Sequence, residues 1–357
     1  MTRRYHVAVI PGDGIGKEVV PQGVRAINAA AATCGFAVDY TTYDWSCETY
    51  KSTGAMMPGD GIARLSQSDA VFLGAIGFPG VPDHISLWGL LIPIRREFEQ
   101  YVNLRPVRLL PGVPCPLANK QPGDIDFWVV RENSEGEYSK RGGIQKEGTD
   151  EEYVIQESVF TKKGTDRILR IAFDLARKLG RPHVTSATKS NGIYHSMPWW
   201  DARFAAVAKD YPEIEIDQYH IDILAARFVI SPERFDVVVG SNLFGDILSD
   251  LGPGVTGTIA VAPSANINPE RMYPSMFEPV HGSAPDIAGR GISNPVGQIW
   301  AAAMMLEHLG EQEGANLIVA AMETVLGDLS GPRTPDLGGK ASTNELGSAI
   351  AAAITRR

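Results

Sequence analysis

The chain has 357 residues, 44% hydrophobic and 21% charged, which suits two ordinary domains or one large one and excludes a disordered chain. Thirty-three Lys and Arg against 42 Asp and Glu leave a formal charge of -9, and no basic run offsets it, which argues against a nucleic-acid surface. Three cysteines, Cys34, Cys47 and Cys115, are an odd number without CxxC spacing, so neither a disulfide framework nor a cysteine metal cluster is expected and the compartment reads as reducing.

Taken in chain order, residues 6–10 read as a strand, 17–32 as a helix and 70–74 as a strand, an alternation that predicts an α/β protein. Too few apolar residues precede Pro11 for a signal peptide. Strands are expected again at 126–130, 184–187 and 235–240, with a helix over 164–179, so the sheet is predicted to continue through the middle of the chain. Residues 140–152, KRGGIQKEGTDEE, are polar and glycine-rich and lead into a β-like run at 153–160; they read as an excursion, either a solvated loop or a subunit clasp. The uncharged stretch after Asp250 is broken by Gly252, Pro253, Gly254 and Pro263, so no membrane span is expected and the protein reads as cytoplasmic.

The first strand runs into Pro11-Gly12-Asp13-Gly14-Ile15-Gly16, whose G-x-G-x-G spacing is not the G-x-G-x-x-G of a dinucleotide fingerprint. It reads equally well as a tight strand-to-helix turn with glycines at positive φ. Asn242-Leu243-Phe244-Gly245-Asp246-Ile247-Leu248-Ser249-Asp250 follows a strand, where an α/β sheet presents its ligand edge. Its helical spacing puts Asp246 and Asp250 on one face, with Leu243, Ile247, Leu248 and Leu251 on the apolar side. A solvated acidic face or an oxygen-seeking divalent cation would each relieve the repulsion. Asp222, flanked by Ile221 and Ile223, reads as a buried carboxylate in need of a partner. Arg95, Arg105 and Arg131 suit bidentate capture of carboxylates, or surface ion pairs. Tyr138 and Lys189, each just past a strand, could carry protons where a nearby cation lowers their pKa values.

Together, residues 10–18, 91–106, 131–138, 186–191, 221–222, 241–250 and 278–294 resemble the β-decarboxylating dehydrogenases, the family of isopropylmalate, isocitrate, homoisocitrate and tartrate/D-malate dehydrogenases, over nearly the whole chain. The resemblance implies a two-domain isopropylmalate dehydrogenase-like α/β fold rather than a usual Rossmann fold. It implies a cofactor domain from 1–103 and 257–357, and a dimerisation and substrate domain over 104–256 whose arm, around 140–160, interlocks two subunits. Asp222, Asp246 and Asp250 match the Mn²⁺ or Mg²⁺ ligands, Arg95, Arg105 and Arg131 the substrate arginines, and Tyr138 and Lys189 the proton carriers. Lys189 and Asp222 are implied to come from the partner chain of a homodimer. His281, Gly282, Ser283, Ala284, Asp286, Ile287 and Asn294 match the adenosine loop, and Glu278 a carboxylate near the nicotinamide. Asp286-Ile287 stands where NADP-using relatives carry Lys-Tyr, which implies NAD.

Specificity is expected in residues 83–91, ahead of Arg95. Trp88 occupies the position of a Glu in isopropylmalate enzymes, and the Ser and Asn of isocitrate enzymes are absent. With Leu91, its indole would leave space only for a small or hydroxyl 3-substituent, unless it serves merely as packing. The expected activity is NAD- and metal-dependent oxidative decarboxylation of D-malate to pyruvate and CO₂, with tartrate also oxidised and K⁺ as a further cofactor. Alternatives are 3-isopropylmalate dehydrogenase, a tartrate decarboxylase without net redox change, and a catalytically silent ligand-binding dimer.

Overall fold

The computed structural model describes residues 2–355. Its strands are β1 (Arg3–Gly12), β2 (Phe36–Thr42), β3 (Ala70–Ala75), β4 (Val102–Arg108), β5 (Asp126–Glu132), β6 (Gly142–Gln145), β7 (Tyr153–Gln156), β8 (His183–Thr188), β9 (Glu215–His220), β10 (Val237–Gly240), β11 (Pro263–Ile267) and β12 (Ser275–Pro279). Two compact units result. One comprises the chain up to Gln100, Arg105–Ile125 and the chain from Gly252 on; the other comprises Tyr101–Leu104 and Asp126–Leu251. Residues 105–125 and 252–256, which the resemblance assigns to the middle domain, fall in the first unit, and residues 101–103 fall in the second. Leu109 N donates to Ile125 O, and the Arg333 guanidinium ties Gly112 O to Leu326 O and Leu337 O.

In the first unit the strand order is β2-β1-β3-β12-β11, parallel except for β11, which is antiparallel to β12. Every residue of β3 is buried, as a parallel strand covered on both faces requires. The helix Val296–Leu309 is buried at every position through Leu306, so its sequence shows apolar residues all round rather than one stripe.

At the C-terminal end of β1 the chain turns sharply. Gly12 and Gly14 adopt φ of +70° and +52°, and a Cβ on Gly14 would stand 2.0 Å from Ser283 O. Ile15 N donates to that same carbonyl at 2.9 Å. The early glycines are therefore a close-approach turn, the second of the two sequence readings. Gly14→Ala combines left-handed strain with a backbone clash and is expected to cost on the order of 2–4 kcal/mol, read as a melting temperature lower by several degrees.

The second unit carries parallel strands in the order β5-β10-β8-β9. The helix Lys162–Leu179 starts where Thr161 Oγ1 accepts from Gly164 N at 2.9 Å and stops at left-handed Gly180. Its buried stripe, Ile168, Leu169, Ala172, Phe173 and Ala176, covers β5, β8 and β10. The polar excursion is an antiparallel ribbon, β6 paired with β7, with Ile144, Tyr153, Val154 and Ile155 exposed in the single chain. No helix among the described residues is long and apolar enough to cross a membrane.

Candidate active site

In the second unit, β5 delivers Arg131 to the sheet edge, where its side chain is buried. The helix Asn242–Thr256 begins just after β10 and meets it. A Cβ on Gly245 would lie 2.6 Å from Arg131 Cβ, so the glycine of the Leu-Phe-Gly-Asp run is what allows β5 and the helix to approach. Arg131 Nε and Nη2 donate to Asn242 Oδ1 at 3.1 and 2.7 Å, and Nη1 donates to Asp246 Oδ1. Tyr138 Oη donates to Asp246 Oδ2 at 2.6 Å. One carboxylate thus holds a guanidinium and a phenol. Glu137, which sequence reasoning passed over, fixes this approach by accepting from Ser241 Oγ at 2.7 Å and Leu243 N at 3.1 Å, at the helix N-terminus where negative charge is favoured. Asp250 follows one turn later and is exposed; Ile247, read from sequence as part of the apolar side, is 49% exposed.

Lys189 follows β8, whose register pairs Thr188 with His220 of β9 and so brings Lys189 beside Asp222. Lys189 Nζ lies 2.8 Å from Asp222 Oδ2. Within the single chain, Asp222 is not the buried carboxylate read from sequence. It stands in the first turn of the helix Ile221–Ile230, its side chain 68% exposed, because that turn faces outward and leaves Ile223 exposed too. The Lys189 hydrogen bond holds its carboxyl below the ordinary range, so it is ionised. Among the described residues of one chain, no three Asp, Glu, His or Cys side chains are gathered closely enough to hold a metal ion.

In the first unit, Arg95 is buried and its Nη2 donates to Glu278 Oε1 at 3.0 Å, an oxygen that also accepts from Asn266 Nδ2 at 2.7 Å. The β11–β12 register explains the grouping: Ser264 sits opposite Glu278, and Asn266 lies two residues on, on the same face. Ser264 Oγ accepts from Arg105 Nε at 3.3 Å. Asn266 was not found from sequence, because nothing marks it apart from this pairing.

A largely apolar cavity of about 320 Å³ opens in the same unit, lined by His281, Ala284, Ile287, Asn294 and Asp336 among others. His281 Nδ1 donates to Gly282 O at 2.9 Å; burial lowers the ring's pKa, so the ring is neutral and its buried Nε2 is an acceptor without a partner. Asn294 Nδ2 donates to Asp336 Oδ2 at 2.9 Å while its Oδ1 caps Val296 N. Asp336, in the turn at Pro335–Leu337, was missed by sequence reasoning, because no local motif marks it. Of the expected adenosine-loop residues, Gly282 and Asp286 are exposed, and Ser283 serves through its carbonyl.

Residues 83–91 contain a turn the sequence does not announce. Leu87–Leu91 forms a π-helical turn, and Gly89 makes room in it for Met56, which a Cβ would approach to 2.7 Å. Trp88 is half-buried with the Arg96 guanidinium 4.9 Å from its ring centre, and Leu91 packs on the core cluster containing Met56 and Leu90.

This fold and these groups define a dehydrogenase of the isopropylmalate dehydrogenase-like class. The isocitrate/isopropylmalate dehydrogenase family matches residues 6–350, and the chain belongs to that family. It is an oxidoreductase of hydroxy acids with the two-domain α/β fold of its class, not the usual Rossmann fold. It is 61% identical to the D-malate dehydrogenase [decarboxylating] of Escherichia coli K12 over 100% of both chains. It is 59% identical to the tartrate dehydrogenase/decarboxylase of Pseudomonas putida, over 99% of this chain and 98% of that one. The crystal structure of isocitrate dehydrogenase from Methylococcus capsulatus superposes with a TM-score of 0.88 at 34% identity, covering 98% and 99% of the two chains.

Proposed function

We propose that the protein oxidatively decarboxylates D-malate to pyruvate and CO₂ with NAD⁺ and Mn²⁺ or Mg²⁺, that it also oxidises tartrate, and that it works as a homodimer. One observation carries this reading: each proton carrier is hydrogen-bonded to an aspartate assigned to the cation, Tyr138 to Asp246 and Lys189 to Asp222. The names of the relatives in Escherichia coli and Pseudomonas putida support the substrate class.

The residues fit both absent groups. Asp222, Asp246 and Asp250 offer only hard carboxylate oxygens, the donor set a divalent cation of this type takes. Arg131 and Lys189 hold positive charge on two of them in the structure. The cavity at His281 presents an apolar wall and a partnerless buried acceptor, which suits an adenine ring bearing an N–H donor. Asp286 accepts from ribose hydroxyls and repels a 2′-phosphate, which favours NAD⁺ over NADP⁺.

Asp222, Asp246 and Asp250 would hold the cation, which would supply positive charge for the substrate's 2-hydroxyl and adjacent carboxylate, and the His281 cavity would hold NAD⁺, which would supply the acceptor for the C2 hydride. Arg95, Arg105 and Arg131 hold the substrate carboxylates. Lys189 Nζ takes the 2-hydroxyl proton. Once CO₂ has left, Tyr138 Oη delivers a proton to C3, and Asp246 Oδ2, which accepts its hydrogen bond in the structure, keeps the phenol aimed. Asp222, Asp246 and Asp250 do not gather within one chain, which supports a site completed by Lys189 and Asp222 of the second subunit.

Initial rates with D-malate, L-tartrate, meso-tartrate and 3-isopropylmalate, with NAD⁺ against NADP⁺ and with and without Mn²⁺ and K⁺, test the proposal. D-malate with NAD⁺ and Mn²⁺ is expected to be fastest. A preference for 3-isopropylmalate, or CO₂ from tartrate without net NADH, would replace it with the corresponding alternative. Trp88→Ala, which vacates the indole volume, is expected to raise kcat/KM for 3-isopropylmalate by roughly tenfold to a hundredfold, the worth of a few methylene groups in a pocket.

A further inference from the structure

The N-terminal ends of β1, β3 and β12 share the sheet edge opposite the Gly12–Gly14 turn. A second cavity of about 310 Å³ opens there, lined by Tyr5, Ser68, Asp69, Arg271, Tyr273 and His308 among others. It shares no lining residue with the cavity at His281, and the five residues of β12 separate the two edges by about 15 Å.

Three of the residues lining this cavity carry polar side chains that make no hydrogen bond, although the His308 ring packs against Phe277. Ser68 Oγ is buried and makes no hydrogen bond. Neither the Arg271 guanidinium nor the His308 ring forms a side-chain hydrogen bond or ion pair among the described residues. The Arg271 backbone is held at φ +55° by its own N–H on Asn268 O, and Asn268 Oδ1 accepts from Met272 N at 2.8 Å. The loop therefore fixes the Arg271 backbone at this edge, at the cost of left-handed conformation in a residue with a Cβ. Buried hydroxyls are seldom left unpaired, and an unpaired guanidinium fork matches a carboxylate or phosphate.

Asp69 sets the other half of the chemistry. Its Oδ2 accepts from His6 N at 2.7 Å, and its charge disfavours a bare polyanion while offering an acceptor to a hydroxyl. Tyr5 Oη is already spent on Glu311. We propose that this cavity binds a small hydroxylated anion, with Arg271, Ser68 and His308 taking its phosphate or carboxylate end and Asp69 accepting from its hydroxyl end. Burial and the Arg271 charge hold the His308 ring at a pKa of about 4, so it is neutral at pH 7. An anion beside it would raise that value.

Calorimetry with glycerol 3-phosphate, glycerate and inorganic phosphate, each at saturating NAD⁺, tests the site on the whole enzyme. Saturable binding of glycerol 3-phosphate or glycerate is expected, weakened tenfold or more by Arg271→Ala and measurably by Ser68→Ala; the tighter of the two names the anionic end. The His308 titration, followed by NMR, should move to higher pH on binding. The site is overturned by no saturable binding, by unchanged affinity in Arg271→Ala, by displacement with NAD⁺, or by inorganic phosphate binding as tightly as glycerol 3-phosphate. Arg271 is exposed, so its truncation should leave folding and turnover intact and the comparison readable.

Discussion

Asp250→Asn is expected to lower kcat/KM for D-malate by roughly a thousandfold or more, about 4 kcal/mol of transition-state stabilisation, while NAD⁺ affinity stays within about twofold. The amide keeps the size of the carboxylate but removes an anionic oxygen, and a hard divalent cation depends on ligand charge. Asp250 is exposed on the helix Asn242–Thr256, so the substitution opens no cavity in the core. It lies in the second unit, whereas the cavity assigned to the cofactor is built wholly from the first. Steady-state rates at several Mn²⁺ concentrations, with NAD⁺ binding by calorimetry, separate the two effects. Wild-type turnover by the variant at ordinary Mn²⁺ would refute the assignment of Asp250 to the cation.

Mixing two inactive variants is expected to restore activity. Lys189→Met removes the proposed proton acceptor and is expected to abolish turnover, as Asp250→Asn is expected nearly to do. If each site takes Asp250 from one subunit and Lys189 from the other, a heterodimer of the two variants keeps one intact site. Random reassortment makes half the dimers mixed, so about a quarter of wild-type specific activity should return after the variants are unfolded and refolded together. Sites complete within a single chain would return none. The exposed ribbon of β6 and β7 is the segment whose deletion should then prevent recovery, through loss of dimer rather than loss of fold.

The sequence carried the local features well. Strands at 70–74 and 184–187 appear as Ala70–Ala75 and His183–Thr188, and the helix at 164–179 as Lys162–Leu179. Period and capping residues act over a few positions, and those positions are adjacent in the chain. The same holds for the Asp246 and Asp250 spacing, which needs only the helical repeat to be read.

What the sequence could not show was set by partners far away along the chain. Arg95 and Glu278 are 183 residues apart, and Arg131 and Asp246 are 115 apart. No local pattern encodes either pairing. Within one chain Asp222 is exposed, because apolar neighbours do not bury a residue whose helical turn faces outward. The π-helical turn at Leu87–Leu91, the approach of Gly245 to Arg131, and the roles of Asn266 and Asp336 likewise arise from packing between elements. Sequence by itself therefore determined the α/β class, the family and the residue types available for chemistry, because these follow from local periodicity and motif. Tertiary structure alone decided which carboxylate each arginine, tyrosine and lysine faces, because hydrogen bonds and burial depend on positions that only folding brings together.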